Sequence, residues 1–280
     1  MELTKESSLV KTILEYAGGT TGKIVILPTA SNMGKEVGAM YTDFFSELCD
    51  DVTYHLIDTR DDAHGPELLR NLSDASLIFF TGGDQLKITS LLGGSPVMEI
   101  VRKARSNNVL VAGTSAGATA MSNTMITYGP ADSMLKGNLK MSPGMGLVEN
   151  IVIDSHFVKR GRISRLLHMV AQNPGMLGVG LSEDTGILVD PDSRLFEVLG
   201  SRQVVVVDGR KIRHANIAAV RDNRPFSVTD VRVHVLGPKY RYNYQSHEIT
   251  IPVQENYDLG LEKPSELGDL PYRPMDMNDW

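Results

Sequence analysis

Residues 109–121 read VLVAGTSAGATAM, and few folds accommodate such a run. Val109 to Ala112 is a short apolar stretch that reads as a buried strand. Gly113-Thr114-Ser115-Ala116-Gly117 then matches G-x-S-x-G, and Ala118 to Met125 continues in helix-compatible residues. Strand, sharp turn and helix are the context in which this pattern forms an elbow that lifts a serine off a strand end. Such an elbow needs small neighbours: a Cβ at Gly113 or Gly117 would collide with the turn, and the serine itself sits strained. The helix after Ser115 aims free backbone N–H groups at whatever bonds to the serine oxygen. The same residues also suit a plain glycine-rich loop that holds a phosphate.

The flanking sequence sets the fold class. Leu9, Ile13 and Leu14, closed by Gly18-Gly19, describe an amphipathic first helix with a glycine cap. Strands are predicted from Lys23, Val52 and Ser76, and helices over 34–48, 66–72, 85–92 and 97–105. Strands alternating with helices predict an α/β fold, a mainly parallel sheet with helices on both faces. Ligands then gather at the carboxyl ends of the strands, where both Ser115 and Gly82-Gly83-Asp84-Gln85 fall. Residues 129–149, rich in methionine, glycine and proline, read as a long loop, either a lid or a connector. Strands resume at Ile151-VIDSHF and recur at 178–181, 186–190, 195–200, 203–209 and 230–237 without long helices, which predicts a mixed or antiparallel C-terminal extension of the sheet. Residues 1–250 are thus expected to form one α/β domain, and the Pro- and acid-rich residues 251–280 an irregular tail.

Composition excludes several classes. The formal net charge of −6 over 280 residues argues against a nucleic-acid partner. Cys49 is the only cysteine, so no intrachain disulfide forms, and its apolar neighbours predict buried packing. The first residues carry no h-region of a signal peptide, and no run approaches 18 apolar residues. A cytoplasmic protein without a membrane segment is expected. No H-E-x-x-H motif and no cysteine pair suggests a metal site.

A serine hydroxyl attacks only when a base takes its proton and a third group orients that base. Among seven histidines, His156 ends a strand at the edge where Ser115 should project, with Asp154 alternating onto the same face. Ile163, Leu166, Leu167 and Val170 predict an amphipathic helix from Arg162 onward. Arg160, Arg162 and Arg165 lie off its apolar stripe near its N-terminus, where cations oppose the macrodipole, so they read as grips for a carboxylate or as a solvated face. Glu183 and Asp184, in GLSEDTG, are both placed to orient His156, and spacing does not choose between them. The order Ser…His…acid differs from the Ser…acid…His of α/β-hydrolases.

Taken together, GTSAGA, FFTGGDQ, DSHFVKRGRISRLL and GLSEDTG resemble cyanophycinase, a serine peptidase family related to peptidase E, the aspartyl dipeptidase. The resemblance spans roughly residues 3–245. It implies a class I glutamine-amidotransferase-like, flavodoxin-like sandwich, and hydrolysis of cyanophycin, a polyaspartate with arginine on each β-carboxyl, to β-Asp-Arg dipeptides. It also implies a triad of Ser115, His156 and Glu183, which demotes Asp184. On the same matching, Gln85, Asp154, Ser155, Arg160, Arg162 and Arg165 bind substrate. No metal or organic cofactor is implied, and the family is typically dimeric. Backbone N–H groups of Ala116 and of the Gly83-Asp84 turn are expected to receive the oxyanion. Two departures stand out. A strand ending in Gly-Gly and an acid usually precedes the first helix, and Ser155 replaces a glutamine. A dipeptidase on short acidic peptides and a catalytically silent binding protein are the alternatives.

Overall fold

A computed structural model describes residues 8–252. Helix α1 (Ser8–Tyr16) leads through a turn at Gly18, φ 88°, into β1 (Lys23–Leu27). There follow α2 (Gly34–Ser46), β2 (Asp51–Tyr54), α3 (Pro66–Ser73), β3 (Leu77–Phe80), α4 (Gln85–Leu92), α5 (Pro96–Lys103) and β4 (Leu110–Gly113). The four strands form a wholly parallel sheet in the order β2-β1-β3-β4. Its central strands β1 and β3 are buried apolar runs because both faces are covered. On one face Ile24, Ile26, Leu77 and Phe79 pack with Tyr41, Phe45 and Cys49, and on the other Val25, Leu27, Ile78 and Phe80 pack with Ile88, Leu92 and Val101. Cys49 is buried as expected, its thiol donating to Gly22 O at 2.7 Å.

The chain after the elbow departs from the sequence expectation. Helix α6 (Ala116–Ala120) has five residues, and the stretch read as its continuation turns into β5 (Thr124–Tyr128). The expected long loop contains β6 (Lys140–Pro143), antiparallel to β5. Thr124, Ile126 and Thr127 are β-branched and stiff at χ1, which favours a strand once a partner is available.

A second sheet combines β7 (Ile151–Asp154) and β8 (Leu177–Leu181), which are parallel, with β11 (Val204–Asp208) and β12 (Arg232–Leu236), which pair antiparallel. Helix α7 (Ile163–Gln172) crosses from β7 to β8 and buries Leu166, Met169 and Val170 against Val152, Val205 and Val207. A third, antiparallel sheet holds β9 (Thr185–Asp190), β10 (Leu195–Gly200), β13 (Arg241–Asn243) and β14 (Ile249–Thr250). The C-terminal half is thus two further sheets and not one extension of the first. The expected tail from residue 253 onward lies outside the described residues.

An apolar cavity of about 800 Å³ lies between β4 and β9, flanked by Leu9, Ile13 and Tyr16 of α1. Among the described residues, neither β4 nor β9 has a strand partner on that side.

Candidate active site

Two pairs of neighbouring strands converge on one point. Phe80 of β3 is level with Gly113 of β4, so the segments that leave these strands, Gly82-Gly83 and Thr114-Ser115, run side by side. Asp154 of β7 is level with Gly180 of β8, which places His156 and Glu183 just past adjacent strand ends.

The elbow has the tightness that its glycines foretell. Ser115 sits at φ 53°, ψ −111°, a strained conformation for a residue with a Cβ. A Cβ on Gly113 would lie 2.6 Å from Gly117 C, and one on Gly117 would lie 2.4 Å from Phe80 O. Thr114 N–H donates to Phe80 O at 3.0 Å, and Gly117 N–H to Thr114 O at 2.9 Å, which locks the turn to the end of β3.

His156 is held differently from the sequence expectation. Strand β7 ends at Asp154, and His156 stands beyond it at φ 52°, so strand alternation does not put the two on one face. The next residue fixes the ring: Phe157 N–H donates to Leu181 O at 3.0 Å, and the Phe157 ring fills the space that a Cβ on Gly180 would take, 2.3 Å away. Arg160 N–H closes the turn onto His156 O at 3.0 Å.

The side chains then form a continuous chain of hydrogen bonds. Ser115 Oγ lies 3.0 Å from His156 Nε2, and His156 Nδ1 lies 2.6 Å from Glu183 Oε1. With Nδ1–H donating to Glu183, Nε2 faces Ser115 as the acceptor. Burial works to raise the Glu183 carboxyl, but the hydrogen bond and charge of His156 outweigh it and hold the group below its ordinary value. Asp184, the rival from spacing, accepts from Ser201 Oγ at 2.6 Å instead.

At the neighbouring turn, Gly83 has φ 142°, and a Cβ there would sit 2.0 Å from Ala30 O. The N–H of Asp84 donates to Ala30 O at 2.9 Å. That corrects one expectation, because an N–H already spent on a carbonyl cannot receive an oxyanion. Among the described residues, the N–H groups of Ala116 and Gly83 make no such backbone bond. A Cβ on Gly82 would lie 3.2 Å from Ser115 Cβ, a measure of how closely the two turns approach.

The expected substrate-binding residues divide into two groups. Asp154 is 1% exposed and pairs with Arg162 Nη1 and Arg165 Nε, each at 3.0 Å. Arg165 is 8% exposed and sits inside, off the solvated face on which a helix of this pattern would carry it. Burial pushes the Asp154 carboxyl up, with Arg165 and Arg162 pulling against it, and burial also pulls Arg165 down. Arg162 and Arg165 thus share one carboxylate, which balances one of their two positive charges. Gln85 Nε2 donates to Ile126 O at 2.7 Å, a link to β5 that no sequence motif announces. Arg160 is exposed, and Ser155 lines the cavity beside Ser115, His156 and Glu183. Among the described residues, no group of His, Cys, Asp and Glu is gathered to hold a metal ion, and no helix is long and apolar enough to cross a membrane.

Peptidase family S51 matches residues 2–195. The cyanophycinase of Geminocystis herdmanii is 35% identical over 237 residues, covering 83% of this chain and 86% of that protein. The cyanophycinase of Synechococcus elongatus is 33% identical over 244 residues, covering 86% of this chain and 76% of that protein. Among solved structures, a peptidase from an acI-B1 Actinobacterium has the same fold, with a TM-score of 0.60 at 19% identity over 82% of this chain and 91% of that one.

Proposed function

The chain belongs to peptidase family S51 and is a peptidase; we propose that it is a serine peptidase that hydrolyses cyanophycin to β-Asp-Arg dipeptides. Ser115 is the nucleophile, His156 the general base and Glu183 the acid that orients it. The observation that supports these roles is the hydrogen-bonded chain of 3.0 and 2.6 Å through the three side chains. Identity of 33–35% with cyanophycinases over most of the chain supports the substrate. The accompanying fold reading is a class I glutamine-amidotransferase-like sandwich in one domain, and the accompanying assembly is a homodimer.

In this mechanism Ser115 Oγ attacks the main-chain carbonyl carbon of an aspartyl unit while its proton passes to His156 Nε2. Glu183 stabilises the imidazolium and does not take the proton itself. The N–H groups of Ala116 and Gly83 receive the tetrahedral oxyanion, each such donor being worth about 2.7–4 kcal/mol of barrier. The C–N bond then breaks as His156 gives its proton to the leaving amine. A water molecule, deprotonated by His156, attacks the acyl-enzyme and releases Ser115.

In this reading exposed Arg160 grips a substrate carboxylate, and Arg162 and Arg165, held by Asp154, support the binding surface. That internal pairing favours a second reading, a dipeptidase on short acidic peptides, which needs fewer free cations. Incubation with purified cyanophycin and mass analysis of the products, beside a series of Asp-X dipeptides, tests both. β-Asp-Arg released from the polymer supports the first reading. Cleavage of the dipeptides alone replaces it with the second, and no cleavage of either contradicts both.

A further inference from the structure

Glu183 is not fixed by its own strand. Strand β8 ends at Leu181, and the chain reverses through Ser182-Glu183-Asp184 into β9 at Thr185. Asp184 stands at φ 46°, which leaves this turn with a left-handed non-glycine residue that something else must hold. That hold comes from the end of β10. Ser201 N–H donates to Asp184 O at 2.9 Å, and Ser201 Oγ–H donates to Asp184 Oδ2 at 2.6 Å. Both ends of one serine thus grip one aspartate.

The next residues extend the brace. Arg202 N–H donates to Thr185 Oγ1 at 3.0 Å, and Thr185 Oγ1–H donates to Glu183 O at 3.0 Å. Gly200, at φ 100°, lets the two segments approach, since a Cβ there would lie 2.2 Å from Asp184 O. The β9–β10 register, Gly200 opposite Thr185, carries the brace into a six-pair ladder. Ser201 is exposed, and it reaches the Glu183 backbone through Asp184.

We propose that Ser201, acting through Asp184, is a positioning residue that keeps the Glu183 carboxylate on His156. It rests on the roles given above to Ser115, His156 and Glu183. Ser201→Ala removes the hydroxyl that donates to Asp184 Oδ2 and loosens the turn, and a displacement of a fraction of an ångström at Glu183 slows activation of Ser115 without altering the surface that binds substrate.

The test uses the full chain and a fluorophosphonate probe, whose reaction with Ser115 needs the base and acid but no particular peptide. Ser201→Ala is expected to lower the maximal labelling rate about tenfold, with the half-saturating probe concentration unchanged. Ser201→Thr, which keeps the hydroxyl, is expected to restore the rate to within about twofold. Thermal unfolding of each variant is followed alongside. A Ser201→Ala protein that labels at the wild-type rate overturns the inference. So does one in which Thr fails to rescue at unchanged melting temperature, or in which only half-saturation moves. Labelling of wild type that does not depend on Ser115 would instead remove the roles on which the inference rests.

Discussion

Ser115 Oγ and His156 Nε2 stand 3.0 Å apart although 41 residues separate them in the chain. Both residues hold a positive φ, 53° and 52°, and both are pinned by a neighbour to an adjacent strand, Thr114 to Phe80 and Phe157 to Leu181. The contact is therefore set by two turns locked to β3 and β8, and not by the side chains alone.

The glycine that admits Phe157 is one consequence. A Cβ on Gly180 would meet the Phe157 ring at 2.3 Å, and that ring is itself packed in the core with Val152 and Leu166. Gly180→Ala is expected to push the ring and His156 with it, costing roughly 1–3 kcal/mol of stability and at least about tenfold in activity. Denaturant unfolding and turnover on the same preparation check this, and an unaffected variant would show that the ring does not position His156.

Asp154 supplies a second. It is the buried counter-charge for two guanidiniums, at 3.0 Å each. Asp154→Asn leaves Arg162 and Arg165 without it, and about 3–5 kcal/mol of stability should be lost. Replacing Arg165 by Met in the same protein should recover part of that loss. Equal stability of Asp154→Asn and wild type would show that the arginines find their counter-charge elsewhere.

The Glu183 carboxyl gives a pH prediction. Its folded value lies below the ordinary 4.5 because His156 bonds to the ionised form. The contact therefore stabilises the fold fully above pH 4.5, and that contribution is lost as pH falls through the lower folded value. In His156→Ala the midpoint should move up toward the ordinary value, read from the Glu183 side-chain carboxyl carbon by NMR. A midpoint that is the same in both proteins would mean that the 2.6 Å contact does not hold in solution.

These residues also show what a sequence reveals and what it hides. The first half is legible because Lys23–Leu27, Leu77–Phe80 and Leu110–Gly113 are apolar runs separated by amphipathic helices, and in the first two burial on both faces leaves that trace. The elbow is legible for a steric reason, since only glycine fits where Gly113 and Gly117 touch backbone. Strand Lys140–Pro143 is hidden, because its four residues carry no apolar alternation and its partner lies in a segment that reads as helix. Arg165 is misplaced by periodicity for a similar reason: its burial depends on a carboxylate eleven residues earlier, and helical spacing does not encode that pairing. The engagement of Asp184 is equally non-local, since its carboxylate accepts from Ser201, seventeen residues on.

Peptide hydrolysis by this site requires above all that Ser115 be the activated nucleophile. Mass analysis of peptides after treatment with a fluorophosphonate probe tests this most directly. It should find one adduct per chain, on Ser115, formed rapidly in wild type and at least about a hundredfold more slowly in His156→Ala. An unmodified Ser115 in folded wild-type protein, or labelling indifferent to His156, would contradict it.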